Sequence, residues 1–380
     1  MVKRIIPLSL ALLAAVLLTG CWDYRGLDSM AIVVGMSIDK NPESDNYMLG
    51  FEVIDLTENV KEQGVTSFLL ESEGKTLFEA TRNVKRKIAQ KLYFGHMQTL
   101  VLSEDLVKNE DIGGIIDWFL RSSEFRETLT LVISQQKTAQ EILRAKGLGS
   151  KINALEIQKS AQEDAEHTSS AVYAELYDIY NTLESGGHEL AMPAVHNIKN
   201  DEDEVTELNG TAVFKQQRLI GYLSSAESMS LLFVLGDLRG GILTFSSRDG
   251  EADNVSLEIS KNTTDTSFSY NEGVLAVEIK TDTTAFLYEI DEPFDALDQP
   301  RVFALETQAQ EKIEQNLSAV IKKVQKGFGA DIFGFGKMIS QADPALWKTL
   351  SKDWDELFAG LDVNVIPKVH IANSASVKRS

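Results

Sequence analysis

The chain has 380 residues and a formal net charge of −20, so it lacks the basic face that nucleic acid requires and gains little from an anionic lipid surface by its overall charge. Hydrophobic residues make up 43% and charged residues 25%, an ordinary globular balance that excludes a disordered chain. With one cysteine, disulfides and cysteine-based structural zinc are excluded too.

Lys3 and Arg4 open the chain, an apolar run follows from Ile5 to Leu18, and Leu18-Thr19-Gly20 leads to Cys21. A basic start, a short apolar stretch and small residues before a cleavage point predict a secretory signal. A cysteine at the cleavage point predicts the lipoprotein type. The Cys21 thiol is the strong nucleophile that takes up a diacylglyceryl group, and cleavage leaves it as the new N-terminus. The apolar run is too short to span a bilayer, which takes roughly 20 residues. Two or three acyl chains, in contrast, make a stable anchor. The expectation is an exported protein, tethered to a membrane from outside through lipidated Cys21, with residues 1–20 removed. The acyl chains, rather than the acidic surface, supply the membrane affinity.

About 360 residues then remain, enough for two or three domains. Ala31 to Asp39 reads as a buried strand and Tyr47 to Ile54 as its hairpin partner, with Asn41-Pro42-Glu43-Ser44-Asp45 as the turn. Leu77, Ala80, Val84 and Ile88 recur at helical spacing and predict one amphipathic helix over Thr76–Leu92. Its polar face carries Arg82, Lys85, Arg86, Lys87 and Lys91, the one basic stretch of the chain, which reads first as a solvated face, with contact to lipid headgroups or to an acidic partner as the alternatives. Met97–Leu102 predicts a strand, a short helix starts at Ser103, Ile112–Arg121 predicts another, and Leu129–Ser134 a strand. Thr138 and Glu141 form a capping box that opens a helix through Lys146. Residues 150–185 predict two helices broken near His167-Thr168-Ser169, the second ended by Gly186-Gly187.

The acidic run from Asn200 to Glu207 is the expected domain boundary. Beyond it, Leu208–Lys215 and Arg218–Leu223 predict a hairpin and Ser225–Leu235 a helix. Alternating runs at 241–245, 255–260, 266–270, 274–281 and 284–290 predict short antiparallel strands. Phe303–Lys326 predicts a long helix. Asp343-Pro344 opens a last helix through Trp347, Leu350, Trp354 and Leu357, and Asp362–Ile371 is a final strand. The expected architecture is therefore α+β and multi-domain, with mixed or antiparallel sheets and packed helices. Residues 21–200 form an N-terminal region that could split into two lobes near 136–150. Residues 201–207 link it to a C-terminal domain at 208–373, and 374–380 form a frayed tail.

Chemistry is scarce. None of His96, His167, His188, His196 and His370 has zinc-protease spacing, and there is no nucleophile elbow or phosphate loop. The glycine-rich Gly327–Gly336 reads as the turn after the long helix. His96 beside Gly95 and Gln98 reads as a hydrogen-bonded histidine, and Arg121 and Arg126 around Ser122-Ser123-Glu124 as an arginine–carboxylate network. No catalytic, metal or cofactor-binding residue is nominated, and the expectation is a protein that is not an enzyme.

Several ordered stretches carry a resemblance. They are Gly20-Cys21-Trp22-Asp23, Ala31-Ile-Val-Val-Gly35, Ile38-Asp39-Lys40, Leu92 to Leu102, and Phe119-Leu-Arg121 with Arg126. Leu208 to Lys215 follows, then Gly221-Tyr-Leu-Ser224 with Glu227, Asp331 to Gly336, and Trp347 to Trp354. Together they resemble the Ger(x)C spore germination proteins, the lipoprotein subunit of nutrient germinant receptors, over nearly the whole chain after Cys21. The resemblance implies a mixed α and β fold and no cofactor. It implies a place on the outer face of the spore inner membrane beside a polytopic A-type subunit and a transporter-like B-type subunit. The implied role is receptor assembly or signal coupling. The alternative is an extracytoplasmic solute-binding lipoprotein that captures the germinant, which a large cleft lined with tryptophan and convergent polar groups would favour.

Overall fold

The computed structural model describes residues 29–56, 65–246, 255–291 and 298–372. Cys21, the signal at 1–20 and the tail at 374–380 lie outside the described residues.

Strand β1 (Met30–Lys40) turns at Asn41–Asn46 and returns as β2 (Tyr47–Asp55), with β3 (Thr66–Gly74) antiparallel beside it. Asn41 Oδ1 accepts from the amides of Glu43 and Ser44, so the side chain itself bends the backbone. Helix α1 (Leu77–Asn83) starts on the Thr76 cap and ends well short of the expected Leu92. A 3-10 turn at Val84–Arg86 follows, and Lys91–Tyr93 forms a short strand, β4. The helical spacing is real, but β4 pairs in parallel with Met30–Ile32 and buries Leu92, so tertiary pairing overrides local propensity.

Then come β5 (Thr99–Ser103), α2 (Glu104–Asn109), α3 (Ile112–Arg121), β6 (Thr130–Ser134), α4 (Ala139–Arg144), α5 (Asn153–His167), α6 (Leu176–Glu184) and β7 (Ala191–Asn200). β1, β5, β6 and β7 are parallel neighbours, and every residue of β5 and β6 is buried because helices cover both faces. Leu100, Leu102, Leu131 and Ile133 pack with Ile115 and Phe119 of α3. On the other face, Val34, Val101, Val132 and Val195 pack with Ile142 of α4 and Ile157 of α5.

The expected split near 136–150 is absent. β6 and β7 lie on either side of that stretch in sequence yet pair in one sheet, and the Gln135 amide donates to the Val195 carbonyl at 2.9 Å. The expected linker at 201–207 is also corrected. Asp201 and Glu202 make the turn of a hairpin whose second strand, β8 (Asp203–Lys215), pairs with β7 along its length. Asp201 takes a positive φ of 59°, a conformation aspartate tolerates. A charged polar run reads alike as a linker or a hairpin tip, and here it is the tip. β9 (Arg218–Leu223) completes the sheet, ordered β3-β2-β1-β5-β6-β7-β8-β9 with β4 beside β1. The first sheet therefore runs on through the expected boundary to Leu223.

The second unit opens with α7 (Ser225–Leu235), capped by a reciprocal Ser224–Glu227 box. Its sheet has the order β10 (Gly241–Phe245), β11 (Val255–Asn271), β12 (Val274–Ile290), β13 (Asp362–Ala372). The four short runs expected after residue 255 are two strands of 17 residues joined at Glu272-Gly273. Register shifts at Ser256/Leu257 and Ile259/Lys261 break the alternation and make one strand read as two. β12 and β13 are parallel, so the chain must cross over. It does so through α8 (Gln299–Lys323), α9 (Phe335–Ala342), α10 (Pro344–Leu350) and α11 (Trp354–Gly360). The single last helix expected from Asp343 is α10 and α11, broken by a 3-10 turn at Ser351–Asp353. The break lets the Trp354 indole donate to Asp331 at 3.2 Å. The fold is α+β, with mixed sheets and packed helices.

Candidate functional site

The two units meet at Gly186–Leu190, between α6 and β7. Gly187 holds φ at 74°, and a Cβ there would lie 2.5 Å from the Trp347 ring and 2.8 Å from the Gly336 carbonyl carbon. Only glycine permits this approach. Backbone hydrogen bonds close the seam: Lys337 N to Gly187 O and Glu189 N to Asp331 O, both 2.9 Å. Lys215 of β8 reaches across to the Gly329 carbonyl at 2.7 Å and to the Asp355 carboxylate at 3.0 Å.

Asp331 organises the C-terminal side. It is 3% exposed, and four donors converge on its carboxylate. Oδ1 accepts from the amides of Gly334 (2.9 Å) and Phe335 (3.2 Å). Oδ2 accepts from the Gly336 amide (2.8 Å) and the Trp354 indole. Burial pushes this carboxyl up to about 6 against the pull of its donors. The glycine-rich stretch is thus more than a turn, because Asp331 holds the start of α9 from inside it.

A groove of about 300 Å³ opens over this seam, lined by His188, Glu189, Gln217, Trp347, Trp354 and Asp355, with Asp331 beneath. A second groove of about 800 Å³ shares His188 and Glu189 and continues past Tyr173, Asp237, Arg239 and Lys337. Trp347 and Trp354 meet edge to face, ring centres 5.2 Å apart. Burial, helped by the Lys337 charge, lowers His188 to about 4, so its imidazole is neutral, and its Nδ1 is buried without a hydrogen-bond partner. Burial raises Glu189, whose carboxylate accepts from the Gln216 amide at 3.0 Å. Asp237 is raised by burial as well. Aromatic faces beside neutral and acidic polar groups suit contact with a polar ligand or a partner side chain. Asp331 is no general base in this setting, since amide and indole donors occupy both its oxygens.

Other residues that stand out in the sequence lie elsewhere. His96 is exposed, edge-on to Tyr93 at 5.7 Å. Arg121 pairs with Asp117 at 2.6 Å on its own helix, while Glu124 faces Lys91, so the network expected around Ser122-Ser123-Glu124 does not form. His167, His196 and His370 lie beside Glu163, Glu207 and Glu306. Sequence reasoning missed His188. Its one signal was the Gly186-Gly187 pair before it, which reads as an ordinary helix stop. Among the described residues, no helix is long and apolar enough to cross a membrane.

Two family models match in succession. The spore germination protein N-terminal domain covers residues 23–197, and the spore germination B3/GerAC-like C-terminal domain covers 209–375. The chain belongs to the GerAC-like spore germination family. The two family matches meet at the β7–β8 hairpin, while the sheet runs on through it to Leu223. Among relatives, spore germination protein KC of Bacillus subtilis (strain 168) is 25% identical over 98% of this chain and 96% of its own length. Spore germination protein B3 of the same organism is 22% identical over 95% of each chain. The crystal structure of the GerBC protein shares the fold, with a TM-score of 0.58 at 22% identity over 92% of this chain and all of that one.

Proposed function

We propose that this GerAC-like protein is the lipid-anchored subunit of a spore nutrient germinant receptor, needed for receptor assembly or signal coupling. The observation that carries this reading is the match of both family domains in order, with relatives aligned over nearly their full length. In this reading Cys21 carries the lipid and the protein sits on the outer face of the spore inner membrane. Its partners are the polytopic A-type and transporter-like B-type subunits. Its work is contact rather than catalysis, and the junction groove fits that role.

Co-purification from spore membranes, with partners identified by mass spectrometry, tests it. Recovery with a polytopic subunit and a transporter-like subunit is the expected result. Recovery alone would overturn the receptor reading. Cys21→Ala leaves an unprocessed precursor that washes off membranes, and normal processing with membrane retention would remove the anchor from the proposal.

The tryptophan-lined groove favours a second reading, a solute-binding lipoprotein that captures the germinant itself. Titration of the purified protein with amino acids and sugars decides it through Trp347 and Trp354 fluorescence. Saturable quenching lost in Trp347→Leu supports capture, and unchanged fluorescence across the panel rejects it.

A further inference from the structure

The basic stretch has a position that the sequence alone does not give it. Residues 75–96 hold six lysines and arginines against one acid, Glu79, in a chain of net charge −20. Glu79 is occupied by the Lys75 amide at 2.9 Å. β3 ends at Gly74 opposite Tyr47, at the far end of β1, whereas β4 pairs Lys91 with Met30 at its near end. The chain between returns along the sheet: Asn83 still donates to the Glu73 carbonyl towards the far end (2.8 Å), and the Lys85 ammonium then donates to the Ala89 and Gln90 carbonyls (3.0 and 2.7 Å), which gathers Arg86–Gln90 beside Lys91 near the start of β1. Arg86, Lys87 and Lys91 are exposed there, Lys91 facing Glu124 at 4.0 Å. Exposed apolar side chains share this end: Tyr93, and Leu56 and Val65 beside the Asp55–Thr66 pair.

The same end faces the anchor. Nine Cα–Cα steps separate Cys21 from Met30, and a chain of that length reaches at most about 32 Å. The opposite end of β1, ten residues on, lies roughly 33 Å from Met30, at the limit of that reach even for a fully extended chain laid along the sheet. We infer that the 84–93 end of the nine-stranded sheet is the membrane-facing surface, with Arg86, Lys87 and Lys91 against anionic phospholipid headgroups and Tyr93, Leu56 and Val65 at the headgroup layer. The patch orients a body that the lipid already holds. This rests on the reading of Cys21 as the lipidated residue.

The test uses the mature lipidated protein in vesicles. Its own cysteine is consumed by the lipid, so a single introduced cysteine reports position. Ala89→Cys, exposed and leaving every charge in place, marks the near end, and Glu43→Cys, in the Asn41–Asn46 turn, marks the far end. Modification by a bulky water-soluble maleimide is followed in phosphatidylcholine vesicles with and without phosphatidylglycerol, each rate divided by its value in detergent. We expect at least a threefold slowing at Ala89→Cys in anionic vesicles, none at Glu43→Cys, and loss of the slowing when Arg86→Glu and Lys87→Glu are added. Equal rates at both positions in anionic vesicles, in protein that still floats with them, overturn the surface. Slowing that needs the other receptor subunits assigns the patch to an acidic protein and overturns the lipid. Failure to float marks failure of the anchor reading, on which this inference falls separately.

Discussion

Gly187→Ala puts the interdomain seam under direct test. Two costs add. A non-glycine residue at φ 74° costs about 1–2 kcal/mol, since the left-handed region crowds Cβ against the backbone. The new Cβ would also sit 2.5 Å from the Trp347 ring and 2.8 Å from Gly336 backbone, so one side of the seam must move. Overpacking of this kind costs about 1–3 kcal/mol. The expected loss is about 2–5 kcal/mol in urea unfolding. The neighbouring Gly186→Ala is the control: its Cβ would lie 3.8 Å from the Trp347 indole nitrogen, an ordinary contact, and it should stay within about 0.5 kcal/mol of the parent. A double-mutant cycle with Trp347→Leu separates the terms. The ring's share of the steric part should vanish once the ring is gone, while the Gly336 backbone clash and the left-handed backbone cost should remain, giving a coupling of about 1–2 kcal/mol. If Gly187→Ala unfolds with the parent, or Gly186→Ala loses as much, the seam is not the close-packed contact described.

Asp331→Ala strands four donors, three buried and one part-buried, at about 1–3 kcal/mol each, and removes a buried charge whose carboxyl stands at about 6, so that its relief returns about 3 kcal/mol at pH 7. Urea unfolding should show a net loss of roughly 1–9 kcal/mol from these terms, and a stabilised variant would refute the cage. His188 supplies a pH signature. Its folded value near 4 lies below the unfolded value near 6.5, so the unfolded chain binds the extra proton between them. Its contribution is whole above about pH 6.5 and is lost as pH falls towards 4, a loss of about 3 kcal/mol. His188→Asn lacks that proton, so the stability of the parent relative to the variant should fall by about that amount from pH 7 to pH 4. Parallel pH profiles would show that His188 titrates freely.

Legibility followed how local the physics was. The parallel strands were readable because helices cover both faces, which turns Ala31-Ile-Val-Val and Leu131-Val-Ile133 into unbroken apolar runs. The cap at Thr138 was readable for the same reason, since it acts on an amide three residues away. Failures came where a distant partner decided the outcome. Leu92 has helical spacing after Ile88, but Met30–Ile32 claims it for a strand. Asp203 to Glu207 reads as a solvated linker until β7 offers it a pairing edge. Of the junction groove, Trp347 and Trp354 stood out as helix residues and Asp331 as part of a recurring motif. Nothing local joins them to His188, more than 140 positions earlier, because the seam is made by long-range backbone contacts.

Buried acids in this fold invite a catalytic reading, and most of them lose it on inspection of their lone pairs. Asp39 on β1 accepts from the Ala139 and Gln140 amides at the start of α4 (2.7 and 3.2 Å). Glu52 on β2 accepts from Asn153 and Ala154 at the start of α5 (3.0 and 2.8 Å). Asp331 does the same for α9. Burial raises all three, yet each is held by the first amides and positive end of a helix, donors with no acceptor inside the helix, so the shift reports a structural staple. Two of these staples pin α4 and α5 to the sheet face from strands about a hundred residues away. Perturbed titration points to function only where no such partner accounts for the group. Once the capping acids are set aside, His188 and Asp237 remain, with Glu189 only partly satisfied by one amide. All three line the grooves at the domain junction. Geometry and electrostatics therefore converge on one place, the seam where a movement of one unit against the other would first be felt.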